Sequence, residues 1–122
     1  MPKLPFDSVA FSAGPAGRLA AMITTLVGTL SSFDASTVRS MDFSEAWDRI
    51  GDAHNAARSL KVLVGSGLSS NPAIRAEVAS HLAPVFQAIV DNADYPDSVR
   101  GAAKCGLDEI AEYMPLPTSA VA

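Results

Sequence analysis

A chain of 122 residues, 48% hydrophobic and 18% charged, is too apolar for disorder and long enough for one core that buries roughly two thirds of the unfolded surface. Its formal net charge of −4 supplies no basic field for a phosphate backbone or an anionic membrane, so neither nucleic acid nor membrane is an expected partner. A single cysteine, Cys105, cannot close an internal disulfide, and the expected setting is reducing and cytoplasmic.

Residues 1–14 carry Pro2, Pro5 and Gly14, which punctuate the backbone and predict an extended arm pinned by Phe6, Val9 and Phe11. The most apolar stretch, Leu19 to Leu30, is shorter than the roughly 20 residues that span a bilayer. It is followed by Ser31-Ser32-Phe33-Asp34 rather than a small-residue cleavage site, so no anchor or export signal is expected. From about Pro15 to Ser32, Leu19, Met22, Ile23, Leu26, Val27 and Leu30 recur at three-and-four spacing and predict the first long helix. Thr24, Thr25 and Thr29 fall off that stripe and leave a mildly polar outer face.

Asp42 and Glu45 have the spacing of a capping box and open a second helix with the stripe Phe43, Trp47, Ile50, Ala57, Leu60 and Val64. Its charges run from acidic Glu45, Asp48 and Asp52 to basic Arg58 and Lys61, complementing the helix macrodipole. Gly65 and Gly67 stop it, and Leu68-Ser69-Ser70 forms a loop. Asn71-Pro72 reads as an N-cap with proline at the first position, opening a third helix to about Asp91. Ile74, Val78, Leu82, Val85 and Ile89 give it one stripe, widened by Ala79, Ala83, Phe86 and Val90. Pro84 lies inside it, and a kink or break is expected near His81 to Ala83. Pro96 opens a fourth helix to about Tyr113, with Val99, Ala103, Gly106, Leu107 and Ile110 inward. The small residues Gly101, Ala102, Cys105 and Gly106 would let a neighbouring helix approach closely. Pro115 and Pro117 mark a flexible tail over 115–122.

No stretch alternates apolar and polar residues over strand length. The expected fold is all-α: one helical domain over 1–122, with a core at 15–114 built as a compact bundle of four antiparallel helices, or five if Pro84 breaks the third. The segments Asn71-Pro72-Ala73-Ile74-Arg75 and Tyr95-Pro96-Asp97-Ser98-Val99-Arg100, leading to Leu82 and Leu107, resemble the start of a HEAT-repeat inner helix. HEAT units recur at about 40 residues because each is a helix pair, whereas these two starts are one helix and a loop apart, so the likeness is read as shared helix-start chemistry.

Candidate chemistry is sparse. Glu77 and His81 share a helix face, but two histidines and one cysteine fall short of a closed structural zinc set, and no metal or cofactor is expected. Cys105 would need a histidine to become a nucleophile and reads as a packing residue, so no catalytic residue is assigned. The Gly14-to-Arg18 turn lacks the lysine and hydroxyl of a phosphate loop. Asp108, Glu109 and Glu112 oppose the macrodipole at the end of the fourth helix; Lys104 can offset Asp108. Alternatively those carboxylates, with Tyr113 and Met114, form an acidic patch for a basic partner. The expected function is a non-enzymatic protein-interaction module: an adaptor, inhibitor or assembly subunit of the kind phages and mobile elements encode, homo-oligomeric or held in a complex. The alternative is a small-molecule-binding bundle with Trp47, His54, His81 and Phe86 around an apolar pocket.

Overall fold

The computed structural model describes residues 4–65 and 71–113. Its regular elements are all helical: α1 (Ser8–Ser12), a 3-10 turn (Gly17–Leu19), α2 (Ala20–Ser31), α3 (Ala35–Ser40), α4 (Phe43–Gly65), α5 (Pro72–Asp91) and α6 (Asp97–Tyr113). Where four or five helices were expected there are six among the described residues; α2, α4, α5 and α6 are the long ones, and α1 and α3 are short additions. The expected tail at 115–122 and Met114 lie outside the described residues.

The amino-terminal arm is not simply extended. Asp7 accepts the Ala10 N–H through Oδ1 at 3.0 Å, capping one turn of helix that swings the Phe11 ring wholly into the core. Leu4 is buried as well, whereas Val9, expected to pin the arm, is 80% exposed. Gly17 is demanded by closeness: a Cβ there would collide with the Ser12 carbonyl oxygen.

Several local expectations hold. Asp42 Oδ1 accepts the Glu45 N–H at 2.9 Å, and Asn71 Oδ1 accepts the Ala73 N–H at 2.9 Å ahead of Pro72. The sequence reading passed over α3, whose cap is Asp34. Its Oδ1 takes the Ser36 N–H and hydroxyl at 3.0 and 2.8 Å, and its Oδ2 the Thr37 hydroxyl at 3.0 Å. The Ser36 and Thr37 hydrogen bonds favour the ionised carboxylate and hold its pKa down at about 2.

Pro84 does not break the third long helix: α5 runs unbroken through it. The proline sits on the exposed face, as does Ser80, whose carbonyl loses its usual donor. At the far end of α5, the Val90 carbonyl accepts both Arg100 Nε at 3.0 Å and Arg100 Nη2 at 2.8 Å. One arginine fork thereby satisfies a carbonyl that the helix end leaves without an intrahelical donor.

The face of α4 differs most from expectation. Phe43 and Trp47, assigned to the inward stripe, are 82% and 67% exposed. Ala57, Leu60 and Val64 of the expected stripe are buried, joined by Ala53, Ala56 and Leu63, so the buried face shares the second half of the predicted line and leaves out its aromatic start. Three alanines allow a close helix contact that two large rings would prevent. Met22, expected inward on α2, is also half exposed, while Ile23, Val27 and Leu30 are buried.

The most extensive helix contact joins α4 to α6. The pair runs in one direction: His54 Nδ1 lies 3.2 Å from the Ser98 carbonyl at one end, and Gly65 rests against the Glu109 carboxylate at the other. On the α6 side Ala102, Ala103 and Gly106 are buried, whereas Gly101 and Cys105, grouped with them in sequence, face out. α5 runs against α6, with the Phe86 ring lying where Gly106 leaves room. α2 lies antiparallel on α4, Thr29 sharing a cleft with Asp52 and Met22 with Val62. One apolar cluster runs through all of this, from Leu4 and Phe11 through Ile23, Leu60 and Phe86 to Val99. Each such side chain contributes about 1.5–3 kcal/mol through removal from water.

Two glycines of α6 give opposite predictions. A Cβ on Gly106 would stand 2.7 Å from the Phe86 ring, so Gly106→Ala should destabilise by about 1–3 kcal/mol. A Cβ on Gly101 would meet nothing within 4 Å, so Gly101→Ala should stabilise by about 0.5–1 kcal/mol. Urea denaturation of the two variants beside the wild type checks the pair; equal shifts would contradict this packing.

Candidate functional site

Helix geometry defines the site. Phe43, His54 and Gly65 are separated by about three turns each and so lie along one line of α4, with Trp47 one turn after Phe43 and close to that line. α6 occupies the line at His54 and Gly65 and begins, at Asp97, opposite His54. The first three turns of α4 therefore run past the start of α6. Phe43 and Trp47 stand on this overhang, their rings stacked at 6.0 Å between centroids and 25° between planes, with the half-buried Ile50 at their base. An apolar ledge results, made of two large rings in contact with each other and with water.

The carboxylates of these turns lie elsewhere round α4 than the rings, with Glu45 and Asp52 on the opposite side of the helix and Asp52 in the cleft towards α2. Asp42, Glu45, Asp48 and Asp52 are exposed along the same turns of α4, and Asp94 and Asp97 are exposed where the chain enters α6. Arg49 turns the other way, into a cleft of about 350 Å³ between α2, α3 and α4, with Thr29, Asp34, Val38 and Met41. That cleft shares Thr29 and Asp52 with a shallow groove along α2 and α4 that continues to Met22 and Val62.

The opposite rim of α2 is fixed by Tyr95. Its hydroxyl donates to the Leu30 carbonyl at 2.7 Å, and its ring stacks on Phe33 at 5.7 Å. This bond ties the end of α2 to the turn between α5 and α6. Burial penalises the phenolate and raises the Tyr95 pKa from 10.0 to about 12.

The residues proposed for a pocket are not brought together. Trp47 is on the overhang; His54 bonds the Ser98 carbonyl; Phe86 is fully buried against Gly106. His81 lies under the amino-terminal segment, its Nε2 3.0 Å from Glu77 Oε1 and its ring edge-on to Phe11 at 5.2 Å and Phe6 at 6.4 Å. None of the four lines the cleft or the groove. The Glu77–His81 pair foreseen from spacing does form, as part of that anchor. Among the described residues, no group of three or more His, Cys, Asp or Glu side chains could hold a metal ion.

The carboxylates at the end of α6 are divided. Asp108 and Glu112 face out, but Glu109 turns against Gly65 of α4. Lys104 and Asp108 form no ion pair. Tyr113 ends α6, with its side chain outside the described residues. No described helix is long and apolar enough to cross a membrane. What sequence reasoning missed was the ledge itself. Its signal was present as Ala53, Ala56 and Ala57 at helix-contact spacing, a buried face that competes with the aromatic one.

Comparison with known proteins gave no match to any family model, to any curated protein or to any solved structure.

Trp47→Ser should leave stability within about 0.5 kcal/mol of wild type, because the ring is already in water. Thermal unfolding measures this; a large loss would place Trp47 in the core. Tyr95 predicts the alkaline limb. With its folded pKa raised to about 12, the stability it supplies is complete below its ordinary value and declines as pH climbs from 10 towards 12. Tyr95→Phe should cost about 1 kcal/mol at neutral pH and remove that part of the decline. Urea titrations at neutral and alkaline pH separate the two effects.

Proposed function

We propose that this chain is a small, non-enzymatic interaction module that meets its partner through the Phe43–Trp47 ledge. The observation that carries the reading is the pair of stacked rings, 82% and 67% exposed, on helical turns that no other element covers. Leaving two large rings in water forgoes several kcal/mol of burial. Tryptophan and other aromatics are the residues on which binding energy concentrates when a partner excludes water from them. The ledge stands on a rigid helix whose remaining length is clamped by α2 and α6, so little ordering would accompany docking. An adaptor, an inhibitor or an assembly subunit all use such a surface. The acidic end of α6, divided as it is, offers no apolar centre among its described residues and is a weaker candidate.

The test is site-specific photo-crosslinking in extract of the native host. A photoreactive amino acid replaces Phe43 in one variant and the exposed Gly101 in another. Protein adducts should form from position 43 and not from position 101. Equal labelling from both positions, or none from position 43, would remove the ledge from consideration.

A further inference from the structure

We infer that the cleft between α2, α3 and α4 binds a free α-amino acid with an apolar side chain, its carboxylate on Arg49 and its ammonium on Asp52. The site lies on another side of α4 from the two rings and does not rest on the ledge reading. Its volume of about 350 Å³ is within the range of small-molecule sites. Arg49 and Asp52 line it from α4, three residues apart and so on neighbouring positions of one helix face. Neither makes a hydrogen bond or an ion pair with any described residue.

The hydrogen-bonding groups of the cleft are one-sided. Its hydroxyl protons are already used: Thr29 Oγ1 donates to the Thr25 carbonyl at 3.2 Å, Ser32 Oγ to the Thr29 carbonyl at 2.9 Å and Thr37 Oγ1 to Asp34 Oδ2 at 3.0 Å. Arg49 is therefore the one side chain lining the cleft that still has protons to give, while Asp52 can only accept. Asp34 is engaged by Ser36 and Thr37 and held ionised, so it sets a fixed negative charge beside the site.

That inventory selects the ligand. A single guanidinium fork takes one carboxylate in bidentate fashion, and the carboxylate of Asp52 takes one cationic donor. Phosphate or a dicarboxylate would bring more negative charge than one arginine answers, next to two carboxylates, and a simple amine would leave the guanidinium unanswered. In an α-amino acid both charged groups hang on one carbon, within reach of two side chains one helical turn apart. Phe33, Val38 and Met41 give the ligand's own side chain an apolar surface.

The test is NMR of the full-length protein with its methionine methyl groups isotopically labelled. Met41→Leu identifies the signal from the cleft, and Met22, in the groove farther along α2, serves as the internal control once Met22→Leu has identified it. L-Leucine is titrated beside L-leucinamide, which lacks the carboxylate, and N-acetyl-L-leucine, which lacks the ammonium. Leucine should move the Met41 signal saturably, with a Kd on the order of 1 mM for so open a site, and leave Met22 in place. Each blocked analogue should bind at least about tenfold more weakly. Arg49→Gln and Asp52→Asn should each weaken leucine binding about tenfold or more, whereas Lys104→Gln on α6 should not change it. All three positions are exposed, so circular dichroism of the variants should match the wild type.

The absence of a saturable Met41 shift with leucine would overturn the site. Equal binding of N-acetyl-leucine would make it a carboxylate site of the kind a chain terminus fills, and equal binding of leucinamide an amine site; either overturns the amino acid. Undiminished binding to Arg49→Gln or Asp52→Asn would overturn the placement. Crosslinking at position 43 is unaffected by any of these results, so the two readings fail separately.

Discussion

The packing of α4 on α6, with small residues on both helices, sets the rest of the molecule. Ala53, Ala56 and Ala57 make the middle of α4 narrow, and Ala102 and Ala103 do the same for α6. Helices with such faces approach until backbone meets side-chain base, and the large residues are pushed to the margins of the contact. Phe86 then fills the space that Gly106 leaves on the other side of α6. With α4 and α6 fixed side by side and pointing the same way, α2 lies on one and α5 on the other, and the order of the chain follows.

The overhang is a consequence of that register. His54 meets Ser98, so everything in α4 before His54 lies past the beginning of α6. Those turns are supported by α3, through Val38, and by the end of α2, but the line that carries the two rings has no neighbour. The exposure of Phe43 and Trp47 is therefore imposed by where another helix starts. The same register turns Glu109 towards Gly65 and so divides the acidic residues of α6 between an inner and an outer face.

Much of the helical content was legible because it is written in local chemistry. Asp42, Asn71 with Pro72, and the stripe Val78, Leu82, Val85 and Ile89 each place a helix by capping or periodicity, and each stands where its spacing puts it. α3 escaped notice because it is short and has no stripe of its own; Asp34 holds it by hydrogen bonds to the two hydroxyl residues that follow. Of the two outcomes expected at Pro84, the break did not occur: α5 continues through it, with Pro84 and Ser80 both on the exposed side. The inward face of α4 was read correctly at Ala57, Leu60 and Val64 and wrongly at Phe43 and Trp47. Two faces compete there, one aromatic and one of alanine, and periodicity ranks them by bulk, whereas the winner was decided by a helix far along the chain that only small residues can receive. For the same reason the pocket residues did not converge: each is apolar or titratable on its own helix, and nothing in one helix's spacing says which faces meet.

The bond from Tyr95 to Leu30 spans 65 residues, and with the Phe33 stack it ties the end of α2 to the turn before α6. Loops of that length are slow to close. A chain leaving the ribosome would carry Ile23, Val27 and Leu30 with that end unsecured until the turn at Tyr95 had been synthesised. The seam between the end of α2 and the turn before α6 is thus completed by a residue that the chain supplies late, and the first long helix is secured at that end only when the last one is in place.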